Sequence, residues 1–281
     1  MSLFTNKLVT TNKVVHKIQD YQRFYASLEC EPISAEGFTV FLHENDRHQN
    51  SNFAIPCSSE ISNIRESILF LHKLFKFRGL KPRIEFLAEY SPSLIQELPS
   101  YNFFEEMRMP LVCCQSDKFH EIAVPTSITT KEITNQSSLS EVKDILVIQR
   151  ECFGHSVPMT EDSLMAYRES LKISPFLAFL DGKPVAVVFL GPLYGGISEV
   201  IGLATMPSFR RKGIATSLLA KVFRRAFDNG IDLLFGSAGS EYSFRASMKI
   251  GSFPCATLVG YGWRFSDKES QFHQSVREAF I

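Results

Sequence analysis

The sequence lacks the features that mark several large classes of protein. Lysine plus arginine and aspartate plus glutamate number 30 each, so the formal net charge is zero. Nucleic acids and anionic membranes select proteins with a basic excess, and we therefore expect neither as a partner. No run of about 18 apolar residues occurs, and the N-terminus has no apolar segment typical of a signal peptide. These absences predict a cytoplasmic protein without a membrane span.

Motifs for metals and nucleotides are missing as well. The six cysteines form no C-x-x-C pair and show no metal-ligand spacing, so we interpret them as reduced core thiols. His43 and His48 lie in a polar stretch without a helical i, i+4 pair or a third ligand, which predicts no metal site. The patterns G-x-G-x-x-G and G-x-x-x-x-G-K-S/T are absent, so the nucleotide-binding folds that carry them have no support.

A basic loop with a glycine, placed between a predicted strand and an amphipathic helix, is the most informative stretch. The strand covers residues 200–206, the loop holds Arg210, Arg211, Lys212 and Gly213, and the helix begins near Ile214. A helix start presents unpaired N–H groups and partial positive charge, and glycine allows an anion to approach the backbone. The stretch therefore predicts a phosphate site. An ordinary basic surface loop is the alternative interpretation.

The spacing Arg210-x-x-Gly213-x-Ala215 resembles the coenzyme A pyrophosphate loop of the GNAT superfamily of acyl-CoA N-acyltransferases, whose pattern is Q/R-x-x-G-x-G/A. The resemblance implies that the pantetheine arm of acetyl-CoA pairs with the backbone of Leu203, Ala204 and Thr205. It also implies that N–H groups of the loop hold the diphosphate. Thr216 either adds a hydroxyl contact or caps the helix. The implied donor-binding residues are Leu203, Ala204, Thr205, Arg210, Arg211, Lys212, Gly213, Ile214, Ala215 and Thr216.

The resemblance further implies direct transfer of an acetyl or short acyl group from acetyl-CoA to a primary amine in a ternary complex. Glu199 is the candidate base, because some family members place a glutamate at this point of the strand. Strand alternation predicts that it shares a face with Ile201, Leu203 and Thr205. An exposed glutamate at a strand start is the alternative. His155 could line the amine pocket, although an ordinary loop histidine is the simpler interpretation.

The general acid is where the sequence departs from the family. The usual tyrosine position falls on Ser247, four residues before Gly251, and a serine hydroxyl is a poor acid at neutral pH. Tyr242 and Tyr261 are substitutes, or else tyrosines with an ordinary packing role. The alternative function is therefore a non-catalytic acyl-CoA-binding or regulatory module. The acceptor, the acyl-chain preference and the oligomeric state are left open by the sequence.

The length of 281 residues favours two domains, and the predicted order of helices and strands recurs in both halves of the chain. We predict a mixed α/β fold of two GNAT-like domains, each a central mixed β-sheet flanked by helices. A degenerate copy occupies residues 1–127, the acyl-CoA-binding copy residues 128–265, and a tail of unassigned role residues 266–281. The first copy has no phosphate loop, because the stretch from Ala54 to Glu60 contains no glycine, arginine or lysine.

Overall fold

The computed structural model describes residues 12–154 and 158–264. In these residues the helices and strands follow one another as α1 (Asn12–Ser27), β1 (Pro32–Ala35), β2 (Phe38–Leu42), β3 (Asn52–Pro56), α2 (Ile64–Phe77), β4 (Arg83–Leu87), α3 (Pro92–Glu97), β5 (Phe103–Gln115), β6 (Ile128–Glu132), α4 (Leu139–Phe153), α5 (Glu161–Glu169), β7 (Ser174–Leu180), β8 (Lys183–Leu190), β9 (Ile197–Thr205), α6 (Ile214–Asp228), β10 (Leu233–Ser237), α7 (Glu241–Met248) and β11 (Phe253–Trp263).

The chain divides into two compact units, and the divisions fall inside strands. The described part of the N-terminal unit consists of residues 12–109 and 256–264, and the C-terminal unit consists of residues 110–255. The boundaries therefore lie within the long strands β5 and β11. This division does not coincide with the predicted domains 1–127 and 128–265, because residues 110–127 group with the C-terminal unit. The domain ranges read from the sequence stay a prediction.

The C-terminal unit is built on a mixed sheet in the order β5-β10-β9-β8-β7-β6. Only β10 and β9 run parallel in this unit, and the other neighbours are antiparallel. β7 and β8 meet at the turn Asp181-Gly182, whose φ angles of 50° and 79° are those of the tight hairpin that Asp-Gly predicts. Both strands are buried along most of their length, because helices cover both faces of the sheet.

Two apolar clusters fix which helices cover which face. On one face α6 contributes Leu218, Val222 and Ala226, a spacing of four residues that keeps one side of the helix on the sheet. On the other face α4 and α5 contribute Val142, Ile145 and Leu164. β9 thus lies in the middle of a sheet with α6 on one side and α4 and α5 on the other.

The N-terminal unit repeats this plan. Its sheet has the order β1-β2-β3-β4-β11, with one parallel pair formed by β3 and β4. α2 covers one face through Ile68, Leu71 and Phe75, and α1 contacts β2 and β4. The mixed α/β fold, with a central mixed sheet and flanking helices in each half, is therefore confirmed.

Two features of the N-terminal unit differ from the sequence prediction. The spacing of apolar residues from Ile61 to Phe75 predicts a helix from Ser58 to Arg78. The helix begins only at Ile64, because the residues before it form a loop in which the carbonyl of Ser59 accepts a hydrogen bond from Ser91, at 2.7 Å. The strands β1 and β3 were not predicted. They are four and five residues long, which is too short for alternation to show.

The opening between β3 and β4 is closed by a side chain of the protein itself. These strands pair only through Ala54 and Ile84, so the end of β4 has no strand partner on that side. The N–H of Leu87 instead donates to Oε1 of Gln19 on α1, at 2.8 Å, and Gln19 is fully buried. Gln19 therefore satisfies a backbone group that the sheet leaves unpaired.

We expect Gln19→Met to destabilise the protein by about 1–3 kcal/mol, because a similar shape is kept while the buried N–H of Leu87 loses its acceptor. Urea unfolding measures the change in the free energy of unfolding. Gln96→Met, at an exposed position of α3, is the matched control and should be nearly neutral. A loss no larger than that of the control would refute this role for Gln19.

Candidate functional site

The basic loop before α6 is open to solvent. Arg211 and Gly213 both adopt left-handed backbone angles, with φ of 63° and 78°, and the residues from Arg210 to Gly213 are exposed. Gly213 is the N-cap of α6 and supplies no side-chain hydrogen bond. A Cβ at Gly213 would meet no heavy atom within 4 Å. The first N–H groups of the helix, which have no intrahelical acceptor, therefore face an unobstructed surface.

The other helices of the C-terminal unit begin differently. Ser138 caps α4, Thr160 caps α5 and Ser240 caps α7, and in each case the side chain accepts a hydrogen bond from the N–H three residues on. Among the helices described in this unit, α6 is thus the one whose head has no side-chain cap. Its N–H groups and partial positive charge remain available to an external anion.

Cationic side chains surround this helix head. Nε of Arg210 donates to the carbonyl of Thr205 at 3.0 Å, which ties the start of the loop to the end of β9. Nζ of Lys212 lies 5.3 Å from the ring centroid of Phe209, and Nζ of Lys183 lies 5.0 Å from the same centroid. Within residues 12–154 and 158–264, neither lysine nor Arg211 forms a salt bridge. Positive charge is therefore left unneutralised at the loop.

Lys183 was missed by the sequence analysis. It belongs to the β7–β8 hairpin, 30 residues before Gly213, and no local pattern connects it with the loop. Only the fold brings its ammonium group to the ring of Phe209.

The parallel strands β9 and β10 part before β9 reaches this loop. Their register covers three pairs and ends at Glu199 opposite Phe235, whereas β9 continues to Thr205. Gly236 follows at the point of separation, where a Cβ would lie 2.5 Å from the carbonyl oxygen of Val200. Beyond this point backbone groups of β9 have no partner from β10, and a cleft opens between the two strands.

A β-bulge on the other side of β9 changes the direction of its side chains. Phe189 pairs with Ile201 but Val187 pairs with Ala204, so Gly202 and Leu203 stand opposite a single residue of β8. The prediction that Leu203 shares a face with Glu199 and Ile201 is therefore wrong. Leu203 packs with the α6 cluster, whereas Ile201 and Ala204 pack with the α4–α5 cluster. The extra residue in the bulge resets the alternation.

A small cavity of about 40 Å³ lies at the point where the strands part. Its apolar wall is formed by Val200, Leu203, Leu219, Phe223 and Phe235, among others. Its other wall includes Ser243, Ser247 and Ser252. The predicted donor-binding strand and the predicted acid position thus meet at one cavity.

Glu199 is half-buried on β9 but does not line the cavity. Its side chain has no hydrogen-bond or salt-bridge partner among the described residues, and its backbone carbonyl accepts from the N–H of Gly191 at 2.8 Å. Burial without a compensating charge raises the pKa of Glu199 to about 7. The carboxyl can therefore exchange a proton near neutral pH, as a general base requires.

Ser247 is buried at the cavity wall, and its hydroxyl is already engaged. It donates a hydrogen bond to the carbonyl of Ser243, one helical turn earlier, at 3.0 Å. Of the two tyrosines considered as substitutes, Tyr242 is 69% exposed on α7. Tyr261 belongs to the N-terminal unit and donates to Glu105 at 3.2 Å. None of these hydroxyls is presented to the cavity as an acid.

Two predicted regions lie outside the described residues, and the residues that are described contain neither a metal-binding cluster nor a membrane-spanning helix. His155 and the tail 266–281 lie outside the described residues. The described ranges hold no group of three or more histidine, cysteine, aspartate or glutamate side chains arranged to bind a metal ion. His43 and His48 instead accept backbone N–H groups of their own loop. Within the same ranges, no helix is both long and apolar enough for a membrane span.

The fold and the site together define a class: a mixed-sheet protein with a parallel strand pair that parts and a helix whose head has no side-chain cap. Residues 142–241 match the model of the acetyltransferase (GNAT) family. This segment thus carries the GNAT family signature, as the Arg210–Ala215 loop predicts. This family fold binds acyl-CoA and supports acyl transfer in general. A comparison with curated proteins finds no match.

Solved structures share the fold over most of the chain. A GCN5-related N-acetyltransferase from Kribbella flavida is 19% identical, covers 90% of this chain and 96% of its own, and has a TM-score of 0.74. One from Sphaerobacter thermophilus is 13% identical, with coverages of 80% and 76% and a TM-score of 0.60. A tandem GNAT protein from the clavulanic acid biosynthesis pathway is 11% identical, with coverages of 93% and 98% and a TM-score of 0.60. The likeness supports a tandem GNAT fold.

The pKa of Glu199 gives a prediction for stability. Because the pKa is raised from 4.5 to about 7 in the folded protein, the native state holds a proton that the unfolded state has lost between these values. Stability from this group is therefore lost as the pH rises through that window. Relative to wild type, Glu199→Gln should gain on the order of 2 kcal/mol between pH values of about 5 and 8.

Urea unfolding of both proteins at the two pH values measures this difference. Glu169→Gln, at an exposed position of α5, is the control and should follow the wild type at both. A Glu199→Gln variant whose stability changes in parallel with the wild type would show that the carboxyl titrates normally.

Proposed function

We propose that the C-terminal unit transfers an acetyl or short acyl group from acetyl-CoA to a primary amine, with both substrates bound together. The observation that carries this proposal is the uncapped, cation-flanked head of α6 beside the cleft between β9 and β10. A diphosphate and an extended amide-containing arm, joined in one molecule, match these two features.

The loop is suited to the diphosphate of coenzyme A. The N–H groups from Arg211 to Thr216 lie at the helix start, whereas that of Arg210 donates to the carbonyl of Pro207 at 3.3 Å. Arg211 and Lys212 add charge on the exposed side. Lys183 extends the cationic surface across the ring of Phe209. Arg210 has a different role in the proposal, since its bond to Thr205 keeps the loop next to the end of β9.

The cleft is suited to the pantetheine arm. Past Glu199, the side of β9 that faces β10 has unpaired backbone groups, and amides of the arm can pair with Leu203, Ala204 and Thr205 as an added strand would. The bulge leaves an additional backbone N–H at Gly202 or Leu203 without a ladder partner. Such a donor can stabilise the oxygen of a thioester carbonyl as it becomes negative, an effect of a few kcal/mol in comparable sites (about 3).

The reaction needs one proton taken up and one supplied. The amine nitrogen attacks the thioester carbon, a C–N bond forms, the C–S bond breaks, and the nitrogen loses a proton. In the proposal the ionised form of Glu199 accepts that proton, directly or through a water molecule. The proton for the departing thiolate comes from solvent, because the hydroxyl of Ser247 is committed to the carbonyl of Ser243.

A second candidate function rests on that same hydrogen bond. If no group protonates the leaving thiolate, the unit could bind acyl-CoA without turning it over and act as a sensor of acyl-CoA. Both candidates place the protein in the cytoplasm, where the six free thiols would stay reduced. They differ in catalysis and agree on donor binding, so binding and turnover require separate tests.

Calorimetry with acetyl-CoA tests donor binding. We expect Gly213→Ala to weaken binding about tenfold through backbone strain and crowding, and Gly213→Glu to weaken it on the order of 100-fold by adding like charge. Gly230→Ala is the matched control, because Gly230 ends the same helix with φ of 82° and equally open surroundings. Unchanged affinity in both Gly213 variants would refute the site.

Release of coenzyme A with a panel of amines tests catalysis. The wild type should show kcat/KM that rises with pH through about 7, the pKa of Glu199. Glu199→Gln should lower kcat on the order of 100-fold or more and remove this inflection, with acetyl-CoA affinity unchanged. Measurable acetyl-CoA binding without turnover of any amine would exclude the transferase and favour the second candidate.

A further inference from the structure

A buried hydroxyl without a hydrogen-bond partner lines the cavity at the parting of β9 and β10. Ser252 is 4% exposed, and its Oγ has no partner among the described residues. The thiol of Cys114 lies nearby, but its own hydrogen bonds go to the carbonyls of Gln115 and Ile250, at 3.6 and 3.7 Å, and sulfur is a weak acceptor. Native proteins seldom leave such a hydroxyl unsatisfied, so a polar group from outside the chain is expected to complete it.

A second hydroxyl beside Ser252 can still accept a hydrogen bond. The N–H of Ser252 donates to the carbonyl of Ser247 at 3.2 Å, which keeps the two residues together at the end of α7. The hydroxyl of Ser247 donates to the carbonyl of Ser243 at 3.0 Å, and its lone pairs accept from no described residue. Ser243 is used in both directions by the cap of α7, since it accepts from the N–H of Ser240 and donates to its carbonyl, at 3.1 and 2.8 Å. The cavity wall therefore offers a free donor at Ser252 next to a free acceptor at Ser247.

Size and polarity identify the occupant as water. The cavity has a volume of about 40 Å³, whereas a water molecule takes up about 30 Å³ in the liquid. None of its lining residues is charged, which disfavours an ion, and a hydrocarbon group would leave Ser252 unsatisfied. A water molecule can accept from Ser252, donate one hydrogen to Ser247 and keep the other for a third partner, as buried waters do. Exposed Ser237 also lines the cavity, so solvent can reach it.

We propose that this cavity holds a water molecule that donates its remaining hydrogen to the sulfur of the donor as the C–S bond breaks, and that Ser252 positions this water. The inference rests on the proposed function, because it places the thioester at the bulge residues Gly202 and Leu203, which line the same cavity. Ser252 does not touch the reacting atoms itself and is therefore a positioning residue.

The water supplies the proton that no side chain at the cavity supplies. The departing sulfur takes one proton from the water, and the water takes one from bulk solvent, so the thiolate becomes a thiol and the water is regenerated. Because Ser247 is much smaller than the tyrosine that the family resemblance implies at this position, there is room for the water next to its hydroxyl.

A crystal structure of the wild-type protein with bound coenzyme A tests the water site directly. Where ordered water is visible, a water oxygen should lie about 2.7–3.0 Å from Oγ of Ser252. The same water should be lost in Ser252→Ala. A wild-type cavity with coenzyme A bound and no water on Ser252 would overturn the inference while the donor site stands.

Release of coenzyme A tests the role of the water in the reaction. Ser252→Ala should lower kcat about tenfold and leave the dissociation constant of acetyl-CoA unchanged. This loss is smaller than the factor of about 10²–10⁴ for a directly placed acid, because a thiolate leaves readily. Ser67→Ala is the control, since Ser67 is equally buried but donates to the carbonyl of Asn63 in the N-terminal unit, at 3.0 Å. Its kcat should equal that of the wild type.

An unchanged kcat in Ser252→Ala would overturn the inference and leave the proposed function intact. Failure of the wild type to turn over any amine would instead refute the transferase, and this inference with it.

A double variant distinguishes a shared water from a packing effect. Ser247→Val keeps the hydroxyl of Ser252 but puts methyl groups where the water needs an acceptor, so kcat should fall by a similar factor of about ten. If both residues act through one water, Ser252→Ala combined with Ser247→Val should be no slower than either single variant. Losses that multiply in the double variant would show that the two residues act independently and would contradict the proposal.

Discussion

Backbone N–H and C=O groups must be paired when they leave water, and this requirement shapes both halves of the protein. Each sheet contains one parallel pair that ends early, β3 with β4 and β9 with β10. In the N-terminal unit the buried N–H of Leu87, which has no strand partner, donates to Gln19, so that opening is filled. In the C-terminal unit the corresponding groups of β9, and those at the head of α6, stay unpaired. One architecture thus gives a closed cleft and an open one, and the proposed function places the amide chain and diphosphate of the donor at the open cleft.

The loop and the helix it precedes could be predicted from the sequence because their causes are local. Gly213 in a left-handed conformation, the four-residue spacing of Leu218, Val222 and Ala226, and the Asp181-Gly182 turn depend on neighbours along the chain. The repeated element order also came from local patterns and was sufficient for the mixed α/β fold. In the N-terminal unit the short strand β1 has no sequence signal of its own, since four residues show too little alternation.

The remaining features depend on contacts distant in sequence. The bulge at Gly202 and Leu203 exists because β8 places one residue opposite two, which no pattern within β9 reveals. Lys183 reaches Phe209 only through the hairpin register. The unit boundaries fall inside β5 and β11 because each long strand continues past the end of its own unit, and strand pairing across 100 or more residues has no local signature. The role of Gln19 could not be predicted either, because it depends on the position of β4 beside α1.

In the proposed reaction the leaving group is a thiolate, and this chemistry explains how the site can lack a tyrosine acid. A carboxyl that is partly withdrawn from water without a partner costs stability, and half-buried Glu199 is in that state, which is a common property of functional groups. Ser247 carries no such cost, because its hydroxyl donates a hydrogen bond to the carbonyl of Ser243 within the same helix. A thiol has an ordinary pKa of about 8.5, so a thiolate leaves far more readily near neutral pH than an alkoxide would. In the proposed reaction, removing the proton from the amine is then the demanding half, and Glu199 is the residue proposed for it.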